Sequence, residues 1–104
     1  MANVLVPLAQ GCEELEAVTV VDLLRRAGIE VVTAGLDEQP VRASRGLVVL
    51  PDMSLEKALQ QDYDMIVLPG GLPGADNLCD DERIIERLRS MSAAGKYTAA
   101  ICAA

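Results

Sequence analysis

Apolar residues recur along this chain in two alternating rhythms. Short continuous apolar runs give way to stretches with apolar residues three and four apart, and Gly, Pro or Ser marks each change, the pattern of βαβ units. Asn3–Leu8 reads as a first strand, followed by a turn at Gln10-Gly11-Cys12. Glu14–Ala27 then carries Ala17, Val20, Val21, Leu24 and Ala27 on one helical face, and Gly28 caps its end. Leu15, Val18 and Leu23 widen that apolar arc beyond what one sheet covers, which predicts that this helix also meets a partner. Glu30–Ala34 is the second strand, and Val41–Leu50 reads as a hairpin folded on Ser44–Gly46. Ser54 caps a predicted helix over Leu55–Gln61, and Met65–Leu68 is a buried strand running into the loop Pro69–Gly74. Asp80 caps a helix over Asp81–Ala94 with Ile84, Ile85, Leu88 and Met91 inward, and Tyr97–Ile101 is the last strand.

This order predicts a doubly wound, mostly parallel α/β sheet with helices on both faces. The first strand lies between the second and the Met65 strand, with the Tyr97 strand next along. Ligands and chemistry gather beyond the carboxyl ends of such strands. Three distant segments are therefore expected to converge: Gly11–Glu16, Pro69–Gly74 and Cys102–Ala104.

Composition narrows the function classes. The 104 residues hold 16 acidic and 9 basic side chains, a formal charge of -7 that opposes sequence-independent binding to nucleic acid or anionic membranes. Two tyrosines are the only aromatics, so base stacking is equally unsupported. There is no apolar stretch of membrane-spanning length and no signal-peptide pattern, and the expected location is cytoplasmic. Cys12, Cys79 and Cys102 are widely spaced and odd in number, which suits reduced thiols. With no histidine and no C-x-x-C, no metal site is expected.

Cys102 is the leading candidate for chemistry. It closes the strand Tyr97–Ile101 between small residues, the setting of a strained nucleophile elbow, and a helix starting after it would favour the thiolate. A buried core cysteine at a strand end would look the same. Glu16 falls on the side of Val20, Leu23 and Ala27, where an apolar setting keeps a carboxyl protonated and able to donate to a thiolate or deliver a proton. Alternatively, Glu13, Glu14 and Glu16 only complement the helix dipole. The N–H groups of Gly71 and Ala103 are candidate oxyanion donors. Pro69–Gly74 lacks the G-K-[ST] ending of a phosphate-binding loop.

Gly11-Cys12-Glu13-Glu14-Leu15-Glu16-Ala17, Arg25-Arg26-Ala27-Gly28-Ile29, Ser44-Arg45, Val67-Leu68-Pro69-Gly70-Gly71 and Ala99-Ala100-Ile101-Cys102-Ala103, in that order, resemble the signature of the ThiJ/PfpI superfamily. The resemblance is closest to the branch of the parkinsonism-associated deglycase and bacterial thiazole-biosynthesis relatives. It implies a flavodoxin-like fold, with Cys102 as oxidation-sensitive nucleophile, Glu16 as its protonated partner, and Gly71 and Ala103 as backbone donors. It also implies cofactor-free conversion of methylglyoxal or glyoxal to a hydroxy acid, with deglycase, chaperone and oxidative-stress roles. Family members continue through further strands and helices and supply a histidine near the cysteine. Residues 1–104 are accordingly expected to be the N-terminal portion of one longer domain, with a C-terminal segment still to come.

Three functional readings stand at this point. The first is a cysteine enzyme acting on a small reactive aldehyde, in a homodimer joined through the first helix and the Val41–Leu50 hairpin. The second is a non-enzymatic redox sensor or chaperone in which Cys102 oxidation is the event. The third is an amidotransferase-like or protease-like hydrolase, which a carboxyl from the first helix does not favour.

Overall fold

A computed structural model describes residues 2–101, and Cys102 and Ala103 lie outside that range. Its centre is strand β1 (Asn3–Leu8), flanked by β2 (Glu30–Gly35) and β6 (Met65–Leu68). With β5 (Met53–Ser54) and β7 (Tyr97–Ala100) at the edges, the order is β5-β2-β1-β6-β7, and every pairing is parallel. Val4 pairs with both Val31 and Met65, so β1 is hydrogen-bonded along both sides. A separate two-stranded ribbon joins β3 (Val41–Arg42) to β4 (Val48–Val49), the expected hairpin.

Period-two alternation sorts the sheet's side chains into two cores. Leu5, Val32, Ile66 and Leu68 face α2 (Leu55–Ala58), α3 (Gly74–Cys79) and α4 (Glu82–Ala93), which contribute Leu55, Leu78, Ile84 and Met91. Val4, Val6, Val31 and Val67 face the other way, under α1 (Glu14–Arg26) and the ribbon, and meet Ala17, Cys12 and Val41. Helices thus cover both faces, and the order β2-β1-β6-β7 is the expected one, with β5 added at the edge.

Local differences from the sequence reading have identifiable causes. α1 stops at Arg26, and Ala27 is an exposed cap residue rather than part of the inward face. Leu15, Val18 and Leu23 are all exposed, while Val20, Val21 and Leu24 pack on the core. The predicted helix over Leu55–Gln61 closes early: Gln60 and Gln61 N–H groups reach back only three residues, and the Tyr63 hydroxyl donates to the Ala58 carbonyl at 2.9 Å. β5 goes unanticipated because side-chain exchange creates it. Asp52 N–H donates to Thr33 Oγ1 at 2.8 Å, Thr33 N–H donates to Asp52 Oδ2 at 2.9 Å, and Arg25 Nη2 donates to the same carboxylate at 2.8 Å.

The predicted loop Pro69–Gly74 ends sooner than expected, because α3 begins at Gly74. Ala75 N–H donates to the Gly71 carbonyl at 2.8 Å, so the glycine-rich run itself opens the helix. Asp80 ends α3, and Asp81, whose side chain accepts from Arg83 N–H, caps α4. Within α4, Ile84 and Met91 are buried and Leu88 packs beside them, whereas Ile85 is half-buried beside the exposed Cys79.

Candidate active site

The carboxyl ends of β1 and β6 bring two loops into direct backbone contact. Glu13 N–H donates to the Gly70 carbonyl at 3.0 Å, and Gly74 N–H donates to the Gly11 carbonyl at 3.2 Å. A Cβ at Gly71 would lie 2.6 Å from Glu13 N, and one at Gly74 would lie 2.6 Å from Cys12 N, so only glycine permits this approach. Gly71 also has φ +95°, a conformation other residues adopt only with strain. The Leu72–Pro73 peptide bond that follows is cis.

Glu16 sits in the first turn of α1, half-buried, and its Oε1 accepts from Gly70 N–H at 3.0 Å. It does not share a buried face with Leu23, which is exposed. It turns toward the glycine loop instead. Its Oε2 takes no hydrogen bond among the described residues. Glu13 caps the same helix, its Oε2 accepting from Glu16 N–H at 3.1 Å. Gly70 is therefore held at both ends, its N–H by Glu16 and its carbonyl by Glu13 N–H.

That grip orients Gly71. In a trans peptide the carbonyl and the following N–H point in opposite directions. With the Gly70 carbonyl turned to Glu13, the Gly71 N–H faces away from α1, and no described residue accepts from it. Glu16 and Gly71 are thus brought together. Cys102 and Ala103 lie outside the described residues. The chain is described as far as Ile101, whose N–H donates to the Leu68 carbonyl at 3.1 Å, at the point where β6 enters the glycine loop.

Sequence reasoning missed Glu14 as a separate element. Its Oε1 accepts from Ser44 Oγ at 3.1 Å, and its Oε2 accepts from Arg45 N–H at 2.8 Å and Leu47 N–H at 3.3 Å. Partial desolvation raises this carboxyl, but the N–H groups of Glu14, Leu47 and Arg45 and the Ser44 hydroxyl outweigh it and hold it below the usual carboxylate range. The only signal in the sequence is the pairing of the acidic helix start with Ser44-Arg45. Cys12, adjacent in sequence, is buried, and burial pushes its thiol above the ordinary value, with Glu14 and Glu13 acting the same way. It is a poor nucleophile.

A doubly wound α/β protein with a glycine-rich donor loop at its β1/β6 strand ends is the class these features define. The chain belongs to the DJ-1/PfpI family, whose profile matches residues 2–104. It is 48% identical over 101 residues to the Parkinson disease protein 7 homolog of Danio rerio, an alignment covering 95% of this chain and 53% of that protein. It is 34% identical to the glutathione-independent glyoxalase DJR-1.2 of Caenorhabditis elegans, covering 98% of this chain and 54% of the relative. Oxidized DJ-1 of Toxoplasma gondii superposes with a TM-score of 0.95 at 44% identity, covering 98% of this chain and 56% of that one. The chain spans about half the length of these relatives.

Two outcomes follow from this geometry. Gly28 has φ +81° but faces open space, so Gly28→Ala carries only the left-handed backbone cost of about 1–2 kcal/mol. Gly71→Ala adds a clash with backbone and should lower stability in denaturant unfolding by clearly more; equal losses would contradict the close approach.

The lowered pKa of Glu14 fixes a pH dependence. Its contribution is present above the ordinary carboxylate range and is lost as pH falls through the lowered folded value. Denaturation midpoints followed into acid should fall less steeply for Glu14→Gln than for the parent protein. Identical slopes would mean that Glu14 does not contribute.

Proposed function

We propose that the full-length protein is a cofactor-independent cysteine enzyme that converts a small α-oxoaldehyde, methylglyoxal or glyoxal, to the corresponding hydroxy acid. The carrying observation is the two-sided hold on Gly70, its N–H on Glu16 and its carbonyl on Glu13 N–H, with the Gly71 N–H turned away from Glu13 and without an acceptor among the described residues. Similarity to a relative named as a glutathione-independent glyoxalase supports the same reading. In this scheme the Cys102 thiolate adds to the aldehyde carbon, and the new oxyanion is held by the N–H groups of Gly71 and Ala103. Glu16 takes the proton from the former aldehyde carbon and returns it to the neighbouring carbonyl carbon, whose oxygen takes up the proton given up by the thiol, leaving a 2-hydroxy thioester. Water then cleaves the thioester, releasing the hydroxy acid and the thiol. The sum is substrate plus water, with no outside oxidant. Reduced thiols of this kind fit a cytoplasmic setting.

A second reading, a redox sensor or chaperone, draws support from a similar DJ-1 solved in oxidized form. Here Cys102 oxidation to sulfinic acid is the event, and Glu16 stabilises the oxidised sulfur.

Lactate production from methylglyoxal by the full-length protein separates the two. Cys102→Ser should abolish it, and Glu16→Gln should lower kcat by about 10²–10⁴-fold, the usual contribution of a positioned acid–base group. Mild peroxide should oxidise Cys102 ahead of Cys12 and Cys79 in peptide mass spectrometry. Full activity in Cys102→Ser would overturn the site, and ordered oxidation without aldehyde consumption would favour the sensor.

We also propose a homodimer through α1 and the ribbon. Leu15 and Val18 on α1 and Leu47, Val48 and Leu50 on the ribbon are exposed, and the groove between these elements encloses about 350 Å³. A second copy bringing the same surface would cover this apolar face by two-fold symmetry. The double substitution Leu15→Glu with Val18→Glu should move sedimentation toward monomer; an unchanged profile would rule this interface out.

A further inference from the structure

We infer that Glu14 is a positioning residue for the glycine loop, acting through the backbone of the Gly11–Glu13 turn while its own carboxylate is hydrogen-bonded to the ribbon. The inference takes from the preceding reading only the place of the reaction, at Gly70–Gly71.

Glu14 and Glu16 are two residues apart on α1, so their side chains leave the helix on different sides. Glu16 reaches Gly70, and Glu14 reaches the Ser44–Leu47 turn of the ribbon. That ribbon cannot hold itself. Its strands are two residues each, paired only as Val41 with Val49 and Arg42 with Val48, and so short a hairpin depends on what it docks against. Three of its polar groups dock on the single carboxylate of Glu14.

The docked ribbon then grips the turn that precedes α1. Gly11 N–H donates to the Arg42 carbonyl at 2.8 Å, and Ser44 N–H donates to the Cys12 carbonyl at 2.8 Å. On its other side the same turn grips the glycine loop, through Glu13 N–H to the Gly70 carbonyl and through the Gly11 carbonyl to Gly74 N–H. The turn is a three-residue plate clamped between ribbon and donor loop. The Gly71 and Gly74 backbones press against it so closely that a single added carbon would lie 2.6 Å from Glu13 N and Cys12 N. Close-packed contacts of this kind transmit displacement. If the ribbon lifts, the turn relaxes, and Gly70 loses the partner that orients the Gly71 N–H.

Native-state amide exchange of the full-length protein by NMR tests the coupling. Glu14→Ala should accelerate exchange at Arg45 and Leu47 by about tenfold, the local effect of losing the hydrogen bonds that hold these N–H groups. Glu13 and Gly70 should accelerate with them, while Leu88 in α4 keeps its protection. Glu14→Gln should restore near-parental exchange, its Oε1 accepting from the Arg45 and Leu47 N–H groups and its Nε2 donating to Ser44 Oγ. Faster exchange at Arg45 and Leu47 with Gly70 and Glu13 unmoved would overturn the inference, as would unchanged exchange throughout or a Glu14→Gln variant behaving like Glu14→Ala. Where Glu14→Ala also exposes Leu88, the milder Ser44→Ala decides: a smaller, joint acceleration at Leu47 and Gly70 supports the coupling, and acceleration at Leu47 alone overturns it. No turnover enters these readings. A protein that consumes no aldehyde but shows coupled amides would remove the enzymatic proposal and leave this one standing.

Discussion

The structure of this site depends on two backbones pressed together where Gly71 and Gly74 put no side chain between them. The Gly11–Glu13 turn and the Gly70–Gly74 loop share hydrogen bonds in both directions, and a Cβ at either Gly71 or Gly74 would collide with backbone atoms of the turn. β1 and β6 are adjacent in the sheet, so their outgoing loops meet by topology. The glycines convert that proximity into contact. From it follow the grip on the Gly70 peptide, the outward Gly71 N–H and the reach of Glu16 to Gly70.

Charge is distributed around this contact with a division of labour. Glu13, Glu14 and Glu16 share one helix start, yet each carboxylate accepts from a different place: the N–H of Glu16, the ribbon turn, and the N–H of Gly70. An acidic first turn also suits the helix dipole. The two roles do not compete, because the dipole asks only for negative charge while the partners require particular directions. Burial first, and then Glu14 and Glu13, disfavour ionisation of Cys12, beside a site whose proposed nucleophile is another cysteine.

Much of the fold was legible because the sheet is buried on both faces. Its strands are continuous apolar runs, and the periodicity of Asn3–Leu8, Glu30–Ala34 and Met65–Leu68 carries directly into β1, β2 and β6. What escaped was set by contacts rather than by pattern. β5 exists because Asp52 and Thr33 exchange hydrogen bonds, and α3 begins at a glycine whose N–H donates to Gly11. Neither interaction leaves a periodic trace. For the site, Glu16 and Gly71 were recognisable from the signature, and the structure brings them together through Gly70. In the sequence Glu14 is one acidic residue among three, because its partners lie some thirty residues away in a hairpin whose docking no local pattern encodes.

The central claim is that Glu16 and the glycine loop preorganise an N–H donor for an oxyanion formed at Cys102. A crystal structure of the full-length protein trapped with an α-oxoaldehyde adduct tests it most directly. The adduct is expected on Cys102, with its oxygen about 2.7–3.1 Å from Gly71 N, the distance of a working oxyanion donor, and Gly70 N–H still on Glu16. An adduct whose oxygen turns to solvent, or a Gly71 N–H engaged elsewhere, would contradict it.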